Sequence, residues 1–161
     1  MFFTLVFLAA ILGGCDINGE DDTNYEGTMP GGLQKTWSGS GDGYIIGSAA
    51  LQYTSDYDGA FTGTISFVSN YSANSGVIIV KYTKPPTHLI WGTNQPFYNG
   101  KDYTAIYYQN LKSNTVQLAS VIDLGDFSSA NTATLEEAKA KFTRSQTGNY
   151  VGAWGTYSLS Q

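Results

Sequence analysis

Apolar residues are distributed along this chain in two regimes. From Phe2 to Gly14 they form one nearly unbroken run of thirteen residues. From Leu33 onward they recur in short segments separated by Gly, Asn and Asp, such as Gly41-Asp-Gly43, Asp56-Tyr-Asp-Gly59, Asn74-Ser-Gly76 and Asn99-Gly100. Within that second part, Phe61 to Phe67 alternates strictly. Phe61, Ile65 and Phe67 fall on one face and Thr62, Thr64 and Ser66 on the other, the period of a half-buried strand. Gly76 to Tyr82 is a continuous apolar run, which predicts a strand covered on both faces or lying under a helix. Tyr103–Leu111 and Thr115–Ile122 predict two more strands, with Asn110 to Asn114 as a hairpin connection. Asn149 to Leu159 predicts a closing strand, with Tyr150 and Trp154 on one face and Val151 and Tyr157 on the other. Leu33–Ser38 and Tyr44–Tyr53 add two weaker strands.

One helix is well signalled. Thr134-Leu-Glu-Glu137 is a capping box, in which the Thr134 hydroxyl accepts from the Glu137 amide and the Glu137 carboxylate reaches back. Leu135, Ala138 and Phe142 then share a face, and Lys139, Lys141 and Arg144 sit at the end that favours cations. The pattern predicts a mainly β fold: a small antiparallel β-barrel or strongly curved sheet of seven or eight strands, with one α-helix in the C-terminal half. The single β-rich domain is placed at 33–161.

Composition narrows the function classes. Only 13% of the 161 residues are charged, while 14% are aromatic, with 12 Tyr and 19 Gly. Such a mix suits exposed strands and turns. The net charge of −5 is uneven. Asp16, Glu20, Asp21, Asp22 and Glu26 precede Met29; from Gly31 onward eight acids balance eight Lys or Arg. A neutral body with no basic cluster argues against nucleic acid as a partner, since phosphate neutralisation needs a basic face. The single Cys excludes an internal disulfide and a Cys-based metal cluster.

That Cys has a specific context. Phe2–Gly14 is too short to span a bilayer, which takes roughly 20 residues, and fits the apolar region of a signal peptide. Leu12-Gly13-Gly14-Cys15 resembles a bacterial lipobox. The resemblance implies cleavage after Gly14, lipidation of Cys15, and a mature chain of 15–161. It places the protein in the bacterial cell envelope, anchored to the inner or outer membrane, with its domain in the periplasm or at the cell surface. Two or three acyl chains anchor stably where one does not. The competing reading is a buried apolar segment with an inert thiol, which the acidic, Gly-rich stretch that follows disfavours. Residues 15–32 are by composition a lipidated Cys and a flexible acidic tether.

The strand order of the body is similar to lipocalin-like and other calycin-type barrels, with Lys35-Thr-Trp37 standing where that family carries Gly-x-Trp. The body also resembles short spirochaete lipoproteins, with a Trp on the first strand, a Gly-Val-Ile-Ile strand, a Thr-Leu-x-Glu-Ala helix and an Asn-Tyr-Val…Trp-Gly end. This second likeness covers 33–161 and implies little about activity.

Side-chain chemistry is sparse. His88 is the only His and follows Pro85-Pro86, which predicts an exposed loop; no Gly-x-Ser-x-Gly elbow is present. No catalytic residue, metal ligand or cofactor is expected. Asp42, Asp56 and Asp58 read as turn residues in preference to calcium ligands. Asp123 and Asp126 carry no sign of a raised pKa that glycoside hydrolysis would need. The surplus aromatics remain. Trp37, Trp91, Tyr107, Tyr108 and Trp154 are the candidate ligand-binding residues, either as pocket walls or as sugar-stacking platforms, and otherwise as core. Trp91 lies in the long Pro-containing segment Lys84 to Asn99, a candidate lid or contact loop. The expected function is a membrane-anchored, non-enzymatic binding or interaction domain for a small apolar ligand, a glycan or a host protein. A structural envelope lipoprotein is the alternative, and a hydrolase the remaining one. A carried ligand requires a cavity of roughly 300 Å³ or more. The hydrolase reading requires His88 within hydrogen-bond reach of a Ser and an Asp.

Overall fold

The computed structural model describes residues 26–56 and 59–160. The expected cleavage position Gly14, the expected lipidation residue Cys15, and Asp58 lie outside them. Eight antiparallel strands form a closed barrel in sequence order: β1 (Thr36–Ser38), β2 (Asp42–Ile46), β3 (Ala50–Ser55), β4 (Phe61–Ser72), β5 (Ser75–Lys84), β6 (Tyr103–Gln109), β7 (Thr115–Ser120) and β8 (Gly155–Leu159). The expectation of a small antiparallel barrel with a helix in its C-terminal half is met. Closure comes from β1, which pairs with β2 on one side (Trp37 opposite Tyr44) and β8 on the other (Trp37 opposite Leu159).

Several boundaries differ from the sequence reading. Tyr44–Tyr53 is not one strand: the chain turns at 47–49, where the Gly47 amide donates to the Ala50 carbonyl, and β2 pairs with β3. The closing strand is shorter than Asn149–Leu159. Its first part forms a single helical turn, α2 (Thr147–Tyr150), after the capped helix α1 (Leu135–Lys141). Tyr150, Val151 and Trp154 consequently pack together against the outer cluster, while Tyr157 points inward.

A further difference lies in β4. Phe61 and Ile65 pack in the barrel, but the register against β5 slips between Ile65 and Phe67. A bulge of this kind reverses which face each later residue occupies. Val68 enters the interior instead, and Phe67 goes to the outside, under α1.

Strand alternation sorts the core into two clusters. Inside the barrel lie Trp37, Tyr44, Ile46, Leu51, Phe61, Val68, Ile78, Val80, Ile106, Tyr108, Val116, Leu118 and Tyr157. Outside, Phe67, Val77, Ile79, Ala105 and Tyr107 meet Ala138 and Phe142 of the helical segment. β5 is therefore buried on both faces, which explains its unbroken Val-Ile-Ile-Val run. The predicted capping box forms: the Glu137 amide donates to Thr134 Oγ1 at 3.2 Å, and the Thr134 amide to Glu137 Oε2 at 3.1 Å. It fixes α1 where Ala138 and Phe142 meet the sheet. The Tyr107 hydroxyl then ties the chain beyond the helix by donating to the Thr143 carbonyl.

An up-and-down barrel places alternate connections at opposite ends. One end carries the short turns 47–49, 73–74 and 110–114. The segment before β1 covers it: Met29 and Leu33 are buried beside Leu111, and the Gly27 amide donates to the Val68 carbonyl. Residues 27–32, tether by composition, are thus packed on the barrel. The other end carries 39–41, 56–60 and the two long connections 85–102 and 121–154. No helix among the described residues is long and apolar enough to cross a membrane.

Phe142 is fully buried between α1 and the sheet. Phe142→Ala should cost about 3–5 kcal/mol through lost burial and the cavity it leaves. Urea unfolding checks this; a loss below about 1 kcal/mol would mean that the helical segment is not docked as described.

Candidate functional site

The five aromatic candidates do not converge. Trp37 is fully buried in the barrel, its Nε1 donating to the Leu33 carbonyl at 2.9 Å. Tyr108 is buried there too, its hydroxyl donating to Asn70 Oδ1 at 2.6 Å, and burial pushes its phenol up to about 12. Tyr107 faces the opposite way, into the helix-side cluster, with half-buried Trp154 packed against the same cluster. Trp91 stands apart at 89% exposure.

Trp91 is held by a small, well-bonded hairpin within the 85–102 connection. Leu89 bridges Pro96, the Ile90 amide donates to the Gln95 carbonyl, and the Phe97 amide to the His88 carbonyl. Gly92, at φ +75, makes the turn, and Thr93 Oγ1 donates to the Ile90 carbonyl. The base of the hairpin is fixed to the 121–154 connection, because the Phe97 carbonyl accepts from Ser129 Oγ at 2.8 Å and Asn131 Nδ2 at 3.1 Å. An indole and a half-exposed Leu89 are thus held out into solvent. Phe127 is exposed on the same end, with φ +53, a conformation bulky side chains rarely adopt.

Beneath these loops the barrel mouth is lined by an arc of rings that sequence reasoning did not single out. Tyr157, Tyr44, Tyr53, Phe61, Tyr82 and Tyr98 touch in succession, at centroid distances of 4.8–5.8 Å. Asp42 sits among them. Its Oδ2 accepts from the Tyr157 hydroxyl at 2.6 Å and the Tyr53 hydroxyl at 3.2 Å, and Tyr44 shares a hydrogen bond with Ser120 Oγ at 2.9 Å. Glycines make room for this cluster. A Cβ at Gly155 would lie 2.6 Å from the Tyr157 ring, and one at Gly39 would collide with Asp42. The available signal was strand parity: Asp42, Tyr44 and Ile46 share a face, so an inward Tyr44 implies an inward Asp42.

The middle of the arc borders a chamber of about 70 Å³, lined by Tyr53, Phe61 and Tyr82 together with Pro86, Phe97, Thr104, Ser120 and Asn131. This is well short of the roughly 300 Å³ at which drug-sized ligand pockets begin. Two open hollows of about 450 and 410 Å³ lie elsewhere on the surface, beside Lys101 and Lys141 and beside Asp123 and Tyr150.

The remaining polar candidates occupy turns. His88 is exposed, with Thr87 Oγ1 3.4 Å from its Nδ1. Asp123 and Asp126 accept from the amides of Gly125 and Ser128, and the Ser128 bonds hold the Asp126 carboxyl below its usual range. Asp56 is exposed beside the Gly41 carbonyl, to which its amide donates. Among the described residues, no three His, Cys, Asp or Glu gather to hold a metal ion.

Burial, which opposes phenolate formation, pushes Tyr53 and Tyr82 up to about 12 from an ordinary value near 10. Tyr44 and Tyr157 are raised by the same cause. Phenols whose folded value exceeds the unfolded one stabilise the fold while neutral. That contribution is complete below about pH 10 and is lost as pH rises through about 12. Urea stability should therefore fall between those values, and phenolate absorbance should rise later for the folded chain than for the unfolded one. Coincident titration of folded and unfolded chains would contradict the buried arc.

No family model, curated protein or solved structure matches the chain.

Proposed function

We propose that this chain is a bacterial envelope lipoprotein, anchored by acyl chains on Cys15, whose barrel recognises a partner surface through its loop end without catalysing a reaction. One observation carries the reading: the segment leading from the N-terminal part of the chain meets the barrel at the short-turn end, whereas both long connections and Trp91 lie at the other. A domain tethered in this way turns its loop end away from the membrane that holds it.

The hairpin supports recognition of a protein or glycan surface. Trp is over-represented among residues that dominate binding energy, and a pre-formed hairpin has little freedom left to lose when it docks. The filled interior argues against a carried apolar ligand of drug size. Side-chain chemistry supports a non-enzymatic reading: His88 is exposed beside Thr87, and the carboxylates of Asp123 and Asp126 accept from turn amides.

Two measurements test the two halves of this reading. Metabolic labelling with a fatty acid should tag the wild-type chain, and Cys15→Ser should abolish the label and release the protein from the membrane fraction. A labelled Cys15→Ser chain removes the anchor. For recognition, Trp91→Ala should leave stability within about 0.5 kcal/mol, as expected of an exposed side chain. It should weaken binding in a glycan-array or cell-surface assay by about thirtyfold. Binding indifferent to Trp91, or none at all, favours the structural envelope role instead.

A further inference from the structure

We propose that the chamber at the barrel mouth is a binding site for a small methylated ammonium ion. The proposal depends neither on the tether nor on what Trp91 touches.

The walls have the shape such a cation requires. Tyr53, Phe61 and Tyr82 come from three consecutive strands, with neighbouring centroids at 5.6 and 5.2 Å. Phe61 and Tyr82 meet at 76°, so the rings turn a corner in place of forming a flat stack. Phe97, half-buried on the 85–102 connection, supplies a fourth ring from above, lying against Gly59. Aromatic faces carry the negative part of the ring quadrupole, and several faces around one space attract a cation without requiring a directed hydrogen bond.

The charge distribution points the same way. Asp42 lies one ring behind the chamber, accepting from the Tyr53 hydroxyl. A phenol that donates to a carboxylate becomes more electron-rich, which strengthens the attraction of its face for a cation. No Lys, Arg or His is among the described side chains that line the chamber. An anion would find no counter-charge there, and a neutral hydrocarbon would gain nothing from Asp42. Thr104 and Asn131, which also hydrogen-bond the Tyr82 side chain, add oxygens to the lining that can accept from an N–H of a partly methylated ammonium. The volume of about 70 Å³ sets the size. The guest is therefore compact, and no long chain fits.

The test is an NMR titration of the full chain with methylammonium and trimethylammonium chlorides, with tert-butanol as a neutral molecule of similar bulk and sodium acetate as an anion. Expected are saturable shifts of Thr104 and Asn131 amides with the ammonium salts only, and upfield displacement of the ligand methyl signals by the surrounding rings. Asp42→Asn keeps an acceptor for the two phenols while removing the charge, and should weaken binding by about fivefold. Phe97→Leu changes the covering loop and leaves the barrel interior intact, so it should fold normally and weaken binding by a similar factor. Equal affinity for tert-butanol, no saturable shift with either ammonium salt, or unchanged binding in folded Asp42→Asn and Phe97→Leu proteins would each overturn the proposal.

Discussion

The ladder that joins β1 to both β2 and β8 turns an open sheet into a ring, and it does so with three residues. Once the ring is closed, every strand has a hydrogen-bonded neighbour on both sides. Closure also fixes an interior volume that side chains have to fill. Trp37 occupies it directly from β1, with Tyr44 and Tyr157 inward on the two neighbouring strands. Because so short a strand supplies few ladder bonds, side chains reinforce the seam. Asp42 links Tyr53 on β3 to Tyr157 on β8 across it, and the Ser38 and Ser160 hydroxyls meet at 2.8 Å. Among the described residues, no buried side-chain nitrogen or oxygen is left without a partner, so the polar groups this filling brings inside are all satisfied.

A closed barrel of this size does not need a helix to seal it, yet α1 and the chain after it cover β5 and β6 from outside. The reason is in those strands. Val77, Ile79, Ala105 and Tyr107 put a second apolar face toward solvent, and burying it couples the 121–154 connection to the barrel wall. That connection in turn holds the base of the Trp91 hairpin through Ser129 and Asn131. The exposed indole is therefore positioned by a chain of contacts that begins in the apolar run of β5.

What could be read from the sequence was what is local. The capping box lies within four residues, and the strands announce themselves by alternation or by a continuous apolar run. The double burial of β5 followed from its composition. The inward turn of Val68 and the outward turn of Phe67 did not, because a single-residue slip in register leaves no mark in an alternating pattern. Gly47 ended a strand that propensity alone would have continued to Tyr53. The aromatic arc was hidden for a different reason: Asp42 and Tyr157 are 115 residues apart, and only ring closure makes them neighbours. The five aromatics chosen by type split among the interior, the outer cluster and solvent, since residue type does not reveal which side of a strand it occupies.

The separation of the two ends has a consequence for how such a protein changes over generations. The short turns at 47–49, 73–74 and 110–114 are bound to strand register, and a residue gained or lost there would shift a ladder. The connections 85–102 and 121–154 carry no such constraint at their tips. The His88–Phe97 hairpin can be substituted or lengthened while the barrel that supports it stays the same. One frame can in this way carry many different surfaces, with change confined to the pole that holds the long connections.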